Sequence, residues 1–169
     1  MEFRLVGCVL LLLAGGYVTV MLTRSERRRM RVLDGFLSLL CYVKGQIDCY
    51  AMPVREILDR ADPAVMAACR GFSEGEAERR PHVLLPAESM SSLVRESRDF
   101  LEPECERLLI SFSDELGGTF REEQVKRCDY YLEALGNERA KLADAIPVRI
   151  RVNNVLCVCG VLGLLVLLW

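Results

Sequence analysis

Along this chain the apolar residues are massed at the two ends and spaced out in the middle. Residues 5 to 22 read LVGCVLLLLAGGYVTVML, 18 positions without a charge, and residues 155 to 169 read VLCVCGVLGLLVLLW. Between them the apolar residues fall at helical intervals. Leu33, Phe36, Leu40, Val43, Ile47 and Tyr50 follow steps of three and four, the stripe of a helix that buries one face against a partner. This stripe starts shortly after the first apolar run, so one unbroken helix is predicted to carry both.

Proline and glycine mark the remaining boundaries. Met52-Pro53 ends the stripe, and Pro53 suits the first turn of a helix PVREILDRA. Asp62-Pro63 repeats the cap-then-proline signal before AVMAACR, which Gly71 closes. SEGEAERRPH, residues 73 to 82, is polar and is expected to be a mobile connector, with Ser73-x-x-Glu76 able to cap one turn. A helix from about Pro86 carries Met90, Leu93 and Val94. The next starts near Glu102-Pro103, buries Cys105, Leu108, Leu109, Phe112 and Leu116, and stops at Gly117-Gly118 with a left-handed glycine cap. Thr119-x-x-Glu122 reads as a capping box for a long last helix. That helix bears Val125, Cys128, Tyr131, Leu132, Leu135 and Leu142, with a kink expected at Pro147.

Strand signals are nearly absent, so the predicted fold class is all-α. A cytoplasmic bundle of five to six helices, residues 24–149, is flanked by transmembrane helices at 1–23 and 150–169. A helix rises ~1.5 Å per residue and the hydrocarbon layer is ~30 Å thick, so the first run can just span it. The second reaches that length only when extended back to Ile150. It then takes in Arg151, Asn153 and Asn154, whose polar ends belong at headgroup level, and Trp169 would anchor the far interface. With only Arg4 ahead of it and no small-x-small cleavage site closing it, the first run is expected to be a retained anchor.

Charge gives the plan a direction. Residues 32 to 146 hold 14 Lys or Arg and 22 Asp or Glu, a net of −8. Arg24, Arg27, Arg28, Arg29, Arg31, Arg149 and Arg151 instead gather beside the two apolar runs. Basic residues next to a membrane helix stay on the cytoplasmic side, and each attracts anionic lipid by roughly 1 kcal/mol near the surface. These seven arginines are therefore expected to set topology and contact lipid. RSERRRMR, residues 24 to 31, also has the look of a nucleic-acid arm. An acidic domain repels a polyanion, however, and phosphate recognition needs basic residues spread over a folded face. No nucleic-acid partner is expected.

Candidate chemistry is sparse. The eight cysteines contain no CxxC, and His82 is the single histidine. Neither a zinc site nor a Ser/His or Cys/His nucleophile is predicted. Reduced cysteines pack as small hydrophobes. Without GxxxxGK[ST] or a strand-borne GxGxxG, neither an enzyme nor a cofactor is expected. A protein-binding surface is placed at the polar residues around the glycine turn: Asp114, Glu115, Gly117, Arg121, Glu122, Glu123 and Gln124. Helix capping alone also explains Gly117, Glu122 and Gln124.

Two local patterns carry a resemblance. QIDCYAMPV, residues 46 to 54, is similar to an acidic-Ile-x-Tyr-x-x-x-Pro-Leu stretch, with Ile47, Pro53 and Val54 in register and Gln46 where an acidic residue is usual. FSDELGGTFREEQ, residues 112 to 124, is similar to a Phe-x-x-x-Leu-Gly turn followed by a glutamine, matching Phe112, Leu116, Gly117 and Gln124. With the order of apolar start, basic collar, helical middle and apolar end, the chain resembles the stage III sporulation protein AB family. The resemblance implies a non-enzymatic component of the assembly linking mother cell and forespore, held in the mother-cell membrane around the forespore. Its soluble domain would be similar to the inner-membrane platform protein of type II secretion and type IV pilus machines. The implied partners are a secretion-type cytosolic ATPase and other membrane proteins of that complex. The residues by themselves also suit a membrane-tethered helical adaptor or sensor that recruits a basic cytosolic partner.

Overall fold

The structure, a computed structural model, describes residues 2–50, 52, 54–117 and 120–168, with the side chains at 2–12, 54, 55, 74, 165, 167 and 168 outside the description. Among the described residues every regular element is helical. They are α1 (Glu2–Tyr50), α2 (Val54–Asp59), α3 (Pro63–Cys69), α4 (Glu74–Ala77), α5 (Met90–Glu96), α6 (Pro103–Glu115) and α7 (Arg121–Leu168), with 3-10 turns at Pro81–Leu84 and Arg98–Phe100. The all-α expectation holds, and α1 is unbroken from the apolar run into the stripe. Five to six helices was an undercount; the extra one is α4, a single turn inside the supposed connector. The chain divides into two units, residues 28–142 and residues 1–27 with 143–169, and α1 and α7 contribute to both.

In the 28–142 unit, α1 buries Leu33, Phe36, Leu40, Val43 and Ile47 as its spacing demands, and Val32 and Leu39 widen the stripe. Tyr50 departs from it, at 70% exposed. A strict heptad drifts about 20° per repeat on a 3.6-residue helix, so by the last turn of α1 this position has reached the stripe's edge. α7 runs antiparallel to α1, as three ion pairs show: Asp34 with Arg139 at 2.5 Å, Lys44 with Asp129 at 2.6 Å and Asp48 with Arg121 at 3.0 Å. On α6, Cys105, Leu109 and Phe112 are buried; on α7, Cys128, Tyr131, Leu135 and Leu142 are. α7 also continues through Pro147, which does not end it.

The short helices are fastened to this frame by particular side chains. Gly35 lets α3 approach α1 closely; an added Cβ would lie 2.6 Å from the Cys69 backbone nitrogen and 2.8 Å from the Ala68 carbonyl carbon. The one buried polar side chain described, Ser97, is satisfied, with its hydroxyl 2.7 Å from the Cys69 carbonyl and 2.9 Å from that of Leu93. α5 begins at Met90 rather than near Pro86, because Ser89 supplies the cap: its hydroxyl accepts from the Ser92 N–H at 3.1 Å and its own N–H donates to Ser92 Oγ.

SEGEAERRPH is a docked segment, not a free connector. Ser73 donates from its N–H and its hydroxyl to Glu76 Oε2, at 2.9 and 2.7 Å, which caps α4 as its spacing implies. Ala77 and Val83 are buried against Ala67, with Phe72 and Leu84 packed around them. Arg70 closes the arrangement. Its Nε donates to Glu96 at 2.7 Å, and its Nη1 donates to the Val83 and Leu85 carbonyls at 2.8 Å each. Three acceptors in this geometry fit a planar guanidinium and not an ammonium.

In the unit formed by residues 1–27 and 143–169, α1 and α7 again run antiparallel. A Cβ on Gly15 would lie 2.6 Å from Val161 Cγ2, and Arg149 Nη1 lies 3.8 Å from Glu26 Oε2. Half-buried positions recur every three to four residues: Gly15, Thr19, Thr23 and Glu26 on α1, with Ile150, Asn153, Cys157 and Val161 on α7. Each helix therefore turns one narrow stripe, rich in small and polar residues, towards the other. Over residues 13–22 and 152–166 the outward positions are apolar, among them Leu13, Tyr17, Val20 and Met21 on α1 and Val155, Leu156, Val158 and Leu162 on α7. This is the reverse of a water-soluble helix pair, and small residues at a helix seam are what membrane packing favours. Among the described residues α7 is the helix long and apolar enough to cross a membrane. Much of the first apolar run, as far as Leu12, has side chains outside the description, so the expected pair of flanking membrane helices is supported at its C-terminal member.

Gly35→Ala should lower the thermal midpoint of the full chain by an amount equivalent to about 1–3 kcal/mol, because backbone rather than a flexible side chain must give way. Gly45→Ala, on an open face of the same helix, should leave the midpoint unchanged or raise it slightly. Equal effects at the two positions would mean that α3 does not sit against Gly35.

Candidate functional site

The glycine turn between α6 and α7 is built from packing residues inside and polar residues outside. α6 ends at Glu115, Gly117 takes φ +94°, and α7 starts at Arg121, with the Glu123 and Gln124 N–H groups both donating to the Phe120 carbonyl at 3.0 Å. The expected cap Thr119 and its neighbour Gly118 lie outside the described residues. Behind the turn, Arg127 pairs with Glu123 at 2.7 Å and with Glu115 at 3.5 Å, clasping α7 to α6. Burial, together with a hydrogen bond to Glu115, raises the Tyr131 hydroxyl above its ordinary pKa. The Tyr131 ring meets Phe112 edge-on at 5.4 Å.

The seven residues placed here by sequence therefore divide. Glu115, Arg121 and Glu123 have partners within the bundle. Gln124 is half-buried in a narrow cleft with Phe112, Leu116 and Arg127. Asp114 and Glu122 are exposed and make no ion pair among the described residues. Between them stands Phe120, 88% exposed, on an open recess of about 800 Å³ also lined by Asp48, Arg121, Glu122, Val125 and Lys126. Sequence reasoning missed Phe120. The available signal was an aromatic residue between a glycine turn and an acidic first turn, just before the helix that would have held it.

The seven collar arginines also divide. In the 28–142 unit, Arg29 pairs with Glu102 at 3.0 Å, and Arg31 reaches the Gly71 carbonyl at 3.3 Å and Glu76 at 3.7 Å. Arg28 stacks on Phe72 and Phe100, with 4.7 and 4.1 Å from its guanidinium carbon to the ring centres. Gly71, at φ +80°, leaves room for it, since a Cβ there would meet Arg28 Nε at 2.7 Å. Desolvation is the main influence on Arg28 and lowers its pKa. These three make contacts within the bundle. Arg149 pairs with Glu26. Arg24, Arg27 and Arg151 are exposed and have no ion-pair partner among the described residues.

Burial pushes the Cys105 and Cys128 thiols up to about 11, and Cys69 further still. Cys41 and Cys49 are exposed. Among the described residues no group of three or more His, Cys, Asp or Glu is placed to hold a metal ion.

The positions that carried the family resemblance are mostly packing and turn positions. Ile47 and Phe112 are buried, Gln46 and Leu116 are half-buried, and Gly117 makes the left-handed turn. Pro53 and the side chain of Val54 lie outside the description. Residues 4–169 match the family described as stage III sporulation protein AB. The chain belongs to the stage III sporulation protein AB family. No curated protein and no solved structure matches it. The AB match takes in both apolar ends as well as the bundle, so membership applies to the whole plan, and the family is one of sporulation proteins.

In the folded chain at pH 8, thiol reagents should modify Cys41 and Cys49 within minutes and leave Cys69, Cys105 and Cys128 intact until denaturant is added. A thiol of pKa about 11 is ionised in only about one molecule in a thousand at that pH, and only the thiolate reacts. Peptide mass spectrometry before and after denaturation checks this. Early loss of Cys105 or Cys128 would contradict the packing of α6 and α7.

Proposed function

We propose that this sporulation protein is a non-enzymatic membrane platform of the complex between mother cell and forespore. Residues 1–23 and 150–169 lie in the mother-cell membrane, and residues 24–149 form a cytoplasmic domain that receives a secretion-type ATPase. The observation that carries the reading is the reversed polarity of the 1–27 and 143–169 unit. At residues 13–22 and 152–166 its outward positions are apolar while its seam is rich in small and polar residues, an arrangement that needs lipid rather than water around it. Whole-chain membership of the AB family supports the sporulation setting. The motor partner rests on the family's likeness to secretion platforms, and the acidic net charge of the middle, −8 over residues 32 to 146, suits a basic docking face on that partner.

The free side chains at the α6–α7 turn make Asp114, Phe120 and Glu122 the docking residues. An exposed aromatic rimmed by charge is the usual form of an interface anchor. Full-length protein in detergent should retain the ATPase of the same organism at low salt. Phe120→Ala or the pair Asp114→Lys and Glu122→Lys should weaken that binding by about tenfold or more. Glu133→Lys, an exposed change elsewhere on α7, should not. Absence of binding by a folded wild-type protein would remove the motor partner; equal binding by all variants would move the docking face elsewhere.

A further inference from the structure

The reversed hairpin carries a second feature once its residues are placed around each helix. Positions advance about 100° per residue on an α-helix. Measured from the seam stripe of α1, which runs through Gly15, Thr19, Thr23 and Glu26, Arg27 lies about a quarter-turn to one side and Arg24 somewhat further round the same side. Glu26 leans to the other side of the seam, where it meets Arg149 at 3.8 Å. On antiparallel α7 the sense of rotation is opposite, and Arg151 falls about 110° from the seam on the flank that holds Arg24 and Arg27. The contacts Gly15 with Val161 and Glu26 with Arg149 set the register. They put Arg151 across from positions 24 to 25, within one turn of both other arginines.

By this placement Arg24, Arg27 and Arg151 fall on the same side of the helix pair within about one turn of one another, exposed and without an ion pair among the described residues. The same flank continues away from them as apolar surface. Val20 and Tyr17 follow on α1 and Val158 on α7, at 49%, 65% and 58% exposed. From Arg24 back to Leu13 is about 16 Å at ~1.5 Å per residue, close to the length of an acyl chain.

We infer that this flank is a binding site for one anionic phospholipid, with its phosphate on Arg24, Arg27 and Arg151 and an acyl chain along Val20, Tyr17 and Val158. Charge complementarity selects the headgroup: three exposed guanidiniums, none in an ion pair among the described residues, suit a phosphate diester. The apolar continuation selects a lipid over a free anion. The inference rests on the hairpin lying in a bilayer, and the experiment separates the two ideas.

The full chain, purified in detergent, is first floated with vesicles of pure phosphatidylcholine. Flotation that survives alkaline carbonate supports the hairpin in the bilayer; failure to float removes that reading and the lipid site with it. Native mass spectrometry with equal amounts of phosphatidylglycerol and phosphatidylcholine then reads the site. The wild-type chain should retain phosphatidylglycerol over phosphatidylcholine by about tenfold or more. In the R24Q/R27Q/R151Q variant the preference should fall to near one, while R79Q/R95Q, which removes exposed charge elsewhere, keeps it. Thermal unfolding gives a second readout, with the midpoint rising with phosphatidylglycerol and not with inorganic phosphate. Flotation without any lipid preference, an unchanged preference in the triple variant, or a midpoint raised equally by inorganic phosphate would each overturn the site.

Discussion

Antiparallel pairing of α1 with α7 is the constraint on which both units depend, and it is achieved by different physics in each. In the 28–142 unit the pair is marked by Asp34 with Arg139, Lys44 with Asp129 and Asp48 with Arg121. All of these are at or near the surface, where ion pairs contribute little because water screens them. They record the register more than they cause it. The driving force is burial of Phe36, Leu40 and Val43 on one helix and Tyr131 and Leu135 on the other. In the 1–27 and 143–169 unit there is little apolar surface to hide, since the large apolar residues point outward. Among the described residues, close approach at Gly15 and the pairing of Glu26 with Arg149 mark the register there.

The short helices follow from that frame. With α1 and α7 supplying two long walls, α2 to α5 can be helices of one or two turns, because tertiary contacts replace intrinsic helix stability. Each contact is specific. Gly35 admits α3, Ser97 satisfies the end of α3, and Arg70 ties the polar segment to α3 and α5 through one carboxylate and two carbonyls. Arg28 adds a cation stacked on two aromatic rings from separate segments. At the α6–α7 turn this frame leaves Asp114, Phe120 and Glu122 exposed.

Features governed by local periodicity and capping were legible in the sequence. The apolar stripe of α1, the starts of α3 and α6 at their prolines, the Ser73 cap and the Gly117 turn all appear where spacing put them. What escaped was decided by distant neighbours. Residues 73–82 look mobile by composition, yet Ala77 within them and Val83 just after them are buried because Ala67 and Phe72 are there to receive them, and Arg70 holds the Val83 carbonyl. Tyr50 fits the heptad but lies at the end of its helix, where the stripe has drifted aside. Phe120 fits no helical stripe and is exposed for that reason. At the α6–α7 turn sequence alone could name six polar residues and a glycine. Only the pairing of Arg127 with Glu115 and Glu123, and of Arg121 with Asp48, separates the engaged from the free.

The arginine run shows why a charge count is a poor guide to a basic patch. Five arginines within residues 24 to 31 suggest one concentrated surface, as they would on an extended arm. Here the segment is helical throughout, and eight residues wind through rather more than two turns. Successive members must therefore face different ways. Arg28 turns to Phe72 and Phe100, Arg29 to Glu102 and Arg31 to Glu76. Arg24 and Arg27 are left exposed, and α7 supplies the third exposed cation, Arg151. The basic surface that results draws on both helices and holds fewer charges than the run, because Arg28, Arg29 and Arg31 are engaged by neighbours in the bundle. A polyanion tracking along α1 would meet two exposed arginines, whereas a compact phosphate on the flank shared by the two helices would meet three.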